Sequence, residues 1–263
     1  MNRQDPEFGL IVVGDEILAG RRRDGHMAAV IERLGERGLE LNWCRIVGDE
    51  RARLTRTLTE TMATDAIVFC CGGIGATPDD VTREAAAEAA GLSIERHPEG
   101  EAILRGRFES ERLTEHRLRM VDFPAGAALI PNPVNQVPGF QLGRHFFVPG
   151  FPKMAWPMIE WVLDHHYGQL VRARSVSHAV HVEAAESDLV PLLERLGNDH
   201  PSVRFSSLPN MERRAWRIEL GVHGPAPEAR AALTALEAAL DEAGVARAPA
   251  PDEATERPAG PQA

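Results

Sequence analysis

The sequence predicts an α/β protein, a three-layer α/β/α arrangement around a mostly parallel sheet, followed by a small α+β domain. Two observations carry the first part. Unbroken apolar runs of strand length, FGLIVV at 8–13 and AIVFCC at 66–71, have the character of strands buried on both faces. Three successive strand segments are each followed by a turn containing Gly and Asp and then by a helical segment, the order that builds parallel strands with helices on both faces. The second part rests on a change after Gly168, where strand segments alternate apolar with polar residues.

In chain order, residues 1–7 form a frayed start. The strand at 8–13 runs into Gly14-Asp15-Glu16, Arg21-Arg22-Arg23 follows, and Asp24 is placed to cap a helix over 25–37 with Met27, Val30, Ile31 and Leu34 on one face. A strand over 39–47 ends in the acidic turn Gly48-Asp49-Glu50, and the helix over 51–62 turns Leu54 and Leu58 inward. The strand at 66–71 breaks at Gly72-Gly73-Ile74-Gly75, and a helix over 81–90 closes at Gly91. Residues 97–119 carry so much charge that they read as one helix, either solvated or lying over the site. Turns at Asn132-Pro133 and Val137-Pro138-Gly139 precede a strand over 144–148, a loop at 148–152 and a helix over 153–165 with Met154, Met158, Ile159 and Val162 inward. Beyond it, Val176, Val180 and Val182 alternate in a strand, Ser187 caps a helix to about 196, 203–208 is extended, 215–222 alternates, and 227–243 is helical. The expected division is 8–168, 170–245 and a disordered Pro/Ala/Glu-rich tail over 248–263.

Acidic residues outnumber basic ones 39 to 29, which excludes bulk attraction to nucleic acid or to an anionic membrane surface. No apolar run reaches membrane-spanning length and no signal peptide is visible, so a cytoplasmic protein is expected. The cysteines, Cys44, Cys70 and Cys71, lack zinc spacing and read as strand core. His178 and His181 fall on opposite faces of a strand, which suits a metal poorly.

The chemistry concentrates at 72–82. Glycines admit a close ligand, and the start of the following helix presents unpaired amides that suit phosphate. Asp79 and Asp80 would repel a bare anion, so the loop reads as a site for phosphate with a divalent cation held by oxygen ligands, magnesium above all. The plainer alternative is that Thr77 or Asp79 caps the helix and the glycines only turn the chain. Ligands of such sheets bind beyond the carboxyl ends of the strands, the edge to which Asp15, Glu16, Asp49, Asp79 and Asp80 are all assigned.

GDEILAG at 14–20, Asp24, VGD at 47–49, GGIGATPDDVT at 72–82, NP at 132–133, PGF at 138–140 and PGFP at 149–152 together resemble the MoaB/Mog molybdopterin-binding family, and within it the amino-terminal part of competence/damage-inducible protein A (CinA). The resemblance implies a domain that binds molybdopterin or a nucleotide with magnesium at the glycine loop. It also implies adenylyl or metal transfer in the molybdenum-cofactor branch and hydrolysis of the ADP-ribose pyrophosphate in the CinA branch. On the matching positions Asp49, Asp79 and Asp80 would hold metal (magnesium, alternatively manganese or cobalt) and activate water. Gly14, Asp15, Glu16, Asp24, Gly72, Gly73, Gly75, Thr77, Thr82, Pro149 and Gly150 would meet phosphate or nucleotide. A homo-oligomer, dimer or trimer, is expected. The carboxy-terminal domain of nicotinamide-nucleotide deamidases is missing from the pattern, so that activity is not expected. Ala76 replaces the family's proline, Cys71 its threonine, His26 its asparagine, and Asn135-Gln136-Val137 its small turn.

Overall fold

The computed structural model describes residues 6–108, 113–170, 175–209 and 218–250. The chain divides into two compact units, Met1–Val171 and Arg172–Ala263.

The first unit is an α/β/α sandwich. Strands β1 (Phe8–Val13), β2 (Trp43–Val47) and β3 (Ile67–Cys71) alternate with helices α1 (Asp15–Leu18), α2 (His26–Glu36), α3 (Arg51–Met62) and α4 (Thr82–Ala90). Then follow β4 (Ile94–Arg96), α5 (Pro98–Arg107), α6 (Glu115–Leu118), β5 (Asp122–Pro124), β6 (Ala128–Ile130), β7 (Gly139–Leu142), β8 (His145–Val148) and α7 (Pro152–Tyr167). Among the described residues the main sheet has the order β2-β1-β3-β8-β7-β6, parallel from β2 to β8 and antiparallel beyond.

Its two faces carry separate cores, as a sheet covered on both sides requires. Ile11, Val13, Val68, Cys70 and Phe147 pack with Leu54 and Leu58 of α3 and Ala85 and Ala86 of α4. Leu10, Val12, Phe69, Cys71 and Phe146 pack with Val30 and Leu34 of α2 and with Met158, Ile159 and Val162 of α7. The unbroken apolar strands are therefore buried on both faces, and their carboxyl ends collect the loops after β1, β2, β3 and β8 on one edge.

The second unit is a two-layer α+β fold. Strands β9 (Ser175–Val182), β10 (Arg204–Pro209), β11 (Ile218–Pro225) and β12 (Arg247–Pro249) form an antiparallel sheet of order β10-β11-β9-β12. Helices α8 (Glu186–Asp199) and α9 (Ala226–Glu242) cover the face carrying Val180, Val182, Ile218, Leu220 and Val222. No helix among the described residues is long and apolar enough to cross a membrane.

Several elements depart from the sequence reading. The segment 97–119 is not one helix. α5 starts at Pro98 with the His97 ring accepting from the Gly100 amide, and β4 and β5 pair beside it. Leu104 and Leu118 are buried and Phe108 and Leu113 pack against the same core, a signal the surrounding charge hides. On α2 the buried stripe is His26, Ala29, Val30 and Leu34, whereas Met27 and Ile31 face outward, because the helix is rotated to seat its first turn against the loop after β8. β2 begins at Trp43 rather than residue 39, where pairing with Gly9 of β1 starts. Ser187 does not cap α8; its hydroxyl donates to the Asp188 carboxylate. The tail expected from 248 contributes β12, since Arg247–Pro249 finds the free edge of β9, a partner that composition cannot reveal. Residues 215–217 of the expected strand and 251–263 of the expected tail lie outside the described residues.

Candidate functional site

The strand-to-loop exits of β1, β2, β3 and β8 surround a cavity of about 460 Å³. Its floor is the glycine loop after β3. Gly72 and Gly73 have φ of 113° and 69°, backbone that L side chains resist, and a Cβ on Gly72 would lie 2.3 Å from the Val13 carbonyl oxygen. Thr82, the first residue of α4, ties this loop down: its hydroxyl donates to the Gly72 carbonyl at 2.9 Å and its amide to the Gly73 carbonyl at 3.0 Å. Within the described residues the amides of Gly73, Ile74, Gly75 and Ala76 donate no hydrogen bond. Such a run of unpartnered amides beside a helix start is backbone of the kind that can receive an anion.

One rim is acidic. The Asp49 carboxylate accepts from the Asp15 amide at 2.8 Å, and the Asp15 carboxylate accepts from the Asp49 amide at 3.2 Å, so the exits of β1 and β2 are locked to each other. Burial first, and then the charges of Asp15, Glu16 and Asp79, push the Asp49 carboxyl above its ordinary value, with the Asp15 amide opposing them. Asp80 is turned into its own loop, accepting from both the amide and the hydroxyl of Thr77. Asp79 faces solvent.

The opposite wall is mostly apolar: Met120, Val137, Pro138, Pro149, Phe151 and Met154, with Phe151 61% exposed. Asn132 shapes this wall. Its carboxamide accepts from the Val134 amide and donates to Asn135 and to the Val137 carbonyl, and Asn135 donates to the Met154 sulfur at 3.0 Å.

Of the residues expected at the site, Gly14, Glu16, Asp49, Gly72, Gly73, Gly75, Thr77, Asp79, Asp80, Pro149 and Gly150 line the cavity. Asp15, Asp24 and Thr82 stand behind it. Asp24 spends both carboxylate oxygens on the amides of His26 and Met27, the capping role its position suggested. His26 is buried, with Nε2 3.1 Å from the Gly150 carbonyl oxygen, and so bridges the start of α2 to the loop after β8. The sequence reading missed Arg22 and the apolar wall; an aromatic residue in PGFP directly after a strand was the one local signal for the latter.

The donor chemistry, hard carboxylate oxygens of Glu16, Asp49, Asp79 and Asp80 lining one cavity, is of the kind a divalent cation takes. Yet among the described residues no three Asp, Glu, His or Cys side chains gather into a ready cage. The arrangement suits an ion that keeps water and takes one or two carboxylates together with ligand oxygens, as magnesium does.

Residues 9–167 match the model of the probable molybdopterin-binding domain, and the chain belongs to that family. It is 32% identical over 237 residues to a CinA-like protein of Anaeromyxobacter sp. (strain K), covering 85% of this chain and 56% of that protein. The chain thus spans little more than half the length of that relative. A protein of Pyrobaculum calidifontis is 28% identical over 252 residues, covering 89% of this chain and 93% of the other. Among solved structures, the CinA protein of Thermoplasma acidophilum, whose function is described as unknown, superposes with a TM-score of 0.55 at 25% identity, covering 63% of this chain and 99% of its own. The three-layer fold, the molybdopterin-binding domain family and the place beside CinA-like proteins are therefore those the motifs implied.

Proposed function

We propose that the chain is a divalent-metal-dependent nucleotide pyrophosphatase of the ADP-ribose type. The observation that carries this reading is that Gly73 to Ala76, whose amides have no hydrogen-bond partner among the described residues, line one cavity together with Asp49 and Asp79. Such amides are free for phosphate oxygens, and carboxylates lining the same cavity make sense when a cation lies between. The apolar wall of Val137, Phe151 and Met154 is suited to a flat base.

Asp49 and Asp79 would hold magnesium, manganese or cobalt, with Asp80 joining if Thr77 releases it. A bound cation supplies charge neutralisation of the diphosphate and a more acidic water. In the reaction, the oxygen of water bonds to one phosphorus, the bridging oxygen leaves with the other phosphate, and AMP and ribose 5-phosphate result. Asp49 and Asp79 would orient the attacking water through the cation they hold, and the proton of that water passes to solvent. The loop amides stabilise charge on the non-bridging oxygens.

A second reading follows from the lack of a ready metal cage among the described residues. In it, the cavity binds molybdopterin or a nucleotide without turnover, or serves an adenylyl or molybdopterin transferase. The test is release of AMP from ADP-ribose with each of the three metals, beside Asp79→Ala and Asp80→Ala. The hydrolase reading expects Asp79→Ala to lose about 100-fold or more in turnover at an unchanged thermal midpoint, because Asp79 is exposed. Asp80→Ala is expected to lower both, because Asp80 also holds Thr77. Absence of turnover with every metal, together with ligand-dependent thermal stabilisation, would establish the binding role instead.

A further inference from the structure

Arg22 is the one cation among the residues lining the cavity, whose other charged groups are Glu16, Asp49, Asp79 and Asp80. Its position is built by the backbone. Gly20, with φ of 66°, lets the chain turn back after the short helix α1, and the amides of Arg21 and Arg22 then both donate to the Glu16 carbonyl, at 2.9 and 3.1 Å. Of the three consecutive arginines, this turn delivers only Arg22 to the cavity; Arg21 and Arg23 do not line it.

The side chain is also uncommitted. No hydrogen bond or ion pair is made by its guanidinium within the described residues, although Glu16 and Asp49 line the same cavity. By contrast Arg37, Arg45, Arg51, Arg53, Arg96 and Arg105 are each bound to a carboxylate. A free guanidinium on the wall of an otherwise acidic cavity offers a planar fork of donors to a ligand anion, the chemistry that Arg provides for phosphate and carboxylate.

We propose that Arg22 is a specificity-determining residue that takes the second phosphate of a diphosphate ligand, the first being held by the glycine-loop amides and the acidic rim. This rests on the nucleotide reading given above and deepens it, because it makes the cavity selective for two adjacent phosphates over one. A divalent cation held by the carboxylates would share the charge of the diphosphate with Arg22.

The test is calorimetric binding of ADP and AMP, with magnesium present, to the full chain and to Arg22→Ala and Arg22→Lys. The expected result is that Arg22→Ala weakens ADP binding about tenfold and AMP binding less than about twofold, with Arg22→Lys intermediate for ADP, because a point charge replaces part of the fork. An unchanged ADP/AMP preference in Arg22→Ala, or equal weakening of both ligands, overturns the assignment while leaving the nucleotide reading in place. A wild-type chain that binds neither ligand overturns both. Arg22 is exposed and without partners, so its variants are expected to keep the wild-type thermal midpoint, which separates lost recognition from lost folding.

Discussion

The carboxyl edge of the first unit's sheet and the last strand of the second unit treat their ionisable groups in opposite ways. At the carboxyl edge of the first unit, Asp15, Glu16, Asp49 and Asp79 lie near one another with no cationic partner among the described residues, and burial first, with these charges adding to it, raises the Asp49 carboxyl. In the second unit, the Arg247 guanidinium is bound to both Glu237 and Asp241 at 2.8 Å, and His181 Nε2 lies 3.1 Å from the Glu219 carboxylate. The edge of the first unit leaves charge uncompensated where a ligand or cation can compensate it, which is how a site differs from a surface.

The glycines show the same contrast and allow the sharpest test. Gly72→Ala combines positive-φ strain with a Cβ driven to 2.3 Å from a main-chain oxygen that cannot move aside. It is expected to destabilise the first unit by about 3 kcal/mol or more and to abolish ligand binding. Gly221→Ala in the second unit meets only the Ser206 hydroxyl, a side chain that can rotate away, and is expected to cost less than about 1 kcal/mol. Urea unfolding of the two variants checks the difference; equal losses would dissolve it.

Buried histidines differ next. His145 lies in the first unit against a hydroxyl, Thr61 at 2.8 Å, and burial lowers its pKa to about 4. The folded state therefore refuses a proton that the unfolded chain accepts near pH 6.5, so stability is present above that pH and declines as pH falls toward 4, by about 3 kcal/mol in all. His145→Gln is expected to flatten that decline in urea unfolding between pH 7 and 4. If the slope survives, the acid sensitivity belongs elsewhere.

The smallest effects are set by the carboxylates. Asp49 has a raised carboxyl, so its ionised form is disfavoured in the fold, and its contribution is favourable only at low pH and lost as pH rises. Asp49→Asn should raise the metal-free thermal midpoint slightly at neutral pH. Asp241 is held below its ordinary value by the Arg247 guanidinium, so its contribution is present at neutral pH and lost on acidification. Asp241→Asn should lower the midpoint slightly. The same sign for both would remove the distinction between site and scaffold.

Much of the fold was legible because its signals are local. The apolar runs at 8–13 and 66–71, the glycine break at 72–75 and the αL cap at Gly91, φ 67°, each depend on neighbouring residues only. The charged segment at 97–119 was misread for the same reason: its two anchoring leucines and the β4–β5 pairing become visible only when the core they enter exists. Within the site, the glycines and aspartates were legible from spacing, whereas the apolar wall, Arg22 and the bridge from His26 to Gly150 were not.

From sequence alone came the strand-loop-helix order, the positions where backbone must adopt positive φ, and a set of carboxylates following strands, because hydrophobic period and backbone freedom are properties of contiguous residues. Only the tertiary structure decided which of those groups meet. Asp15 and Asp49 are 34 residues apart and His26 and Gly150 are 124 apart, and each pair is joined by the order in which the strands lie side by side. The burial and neighbouring charge that raise Asp49, and the choice of one arginine from three to face the cavity, follow from that adjacency and from no local pattern.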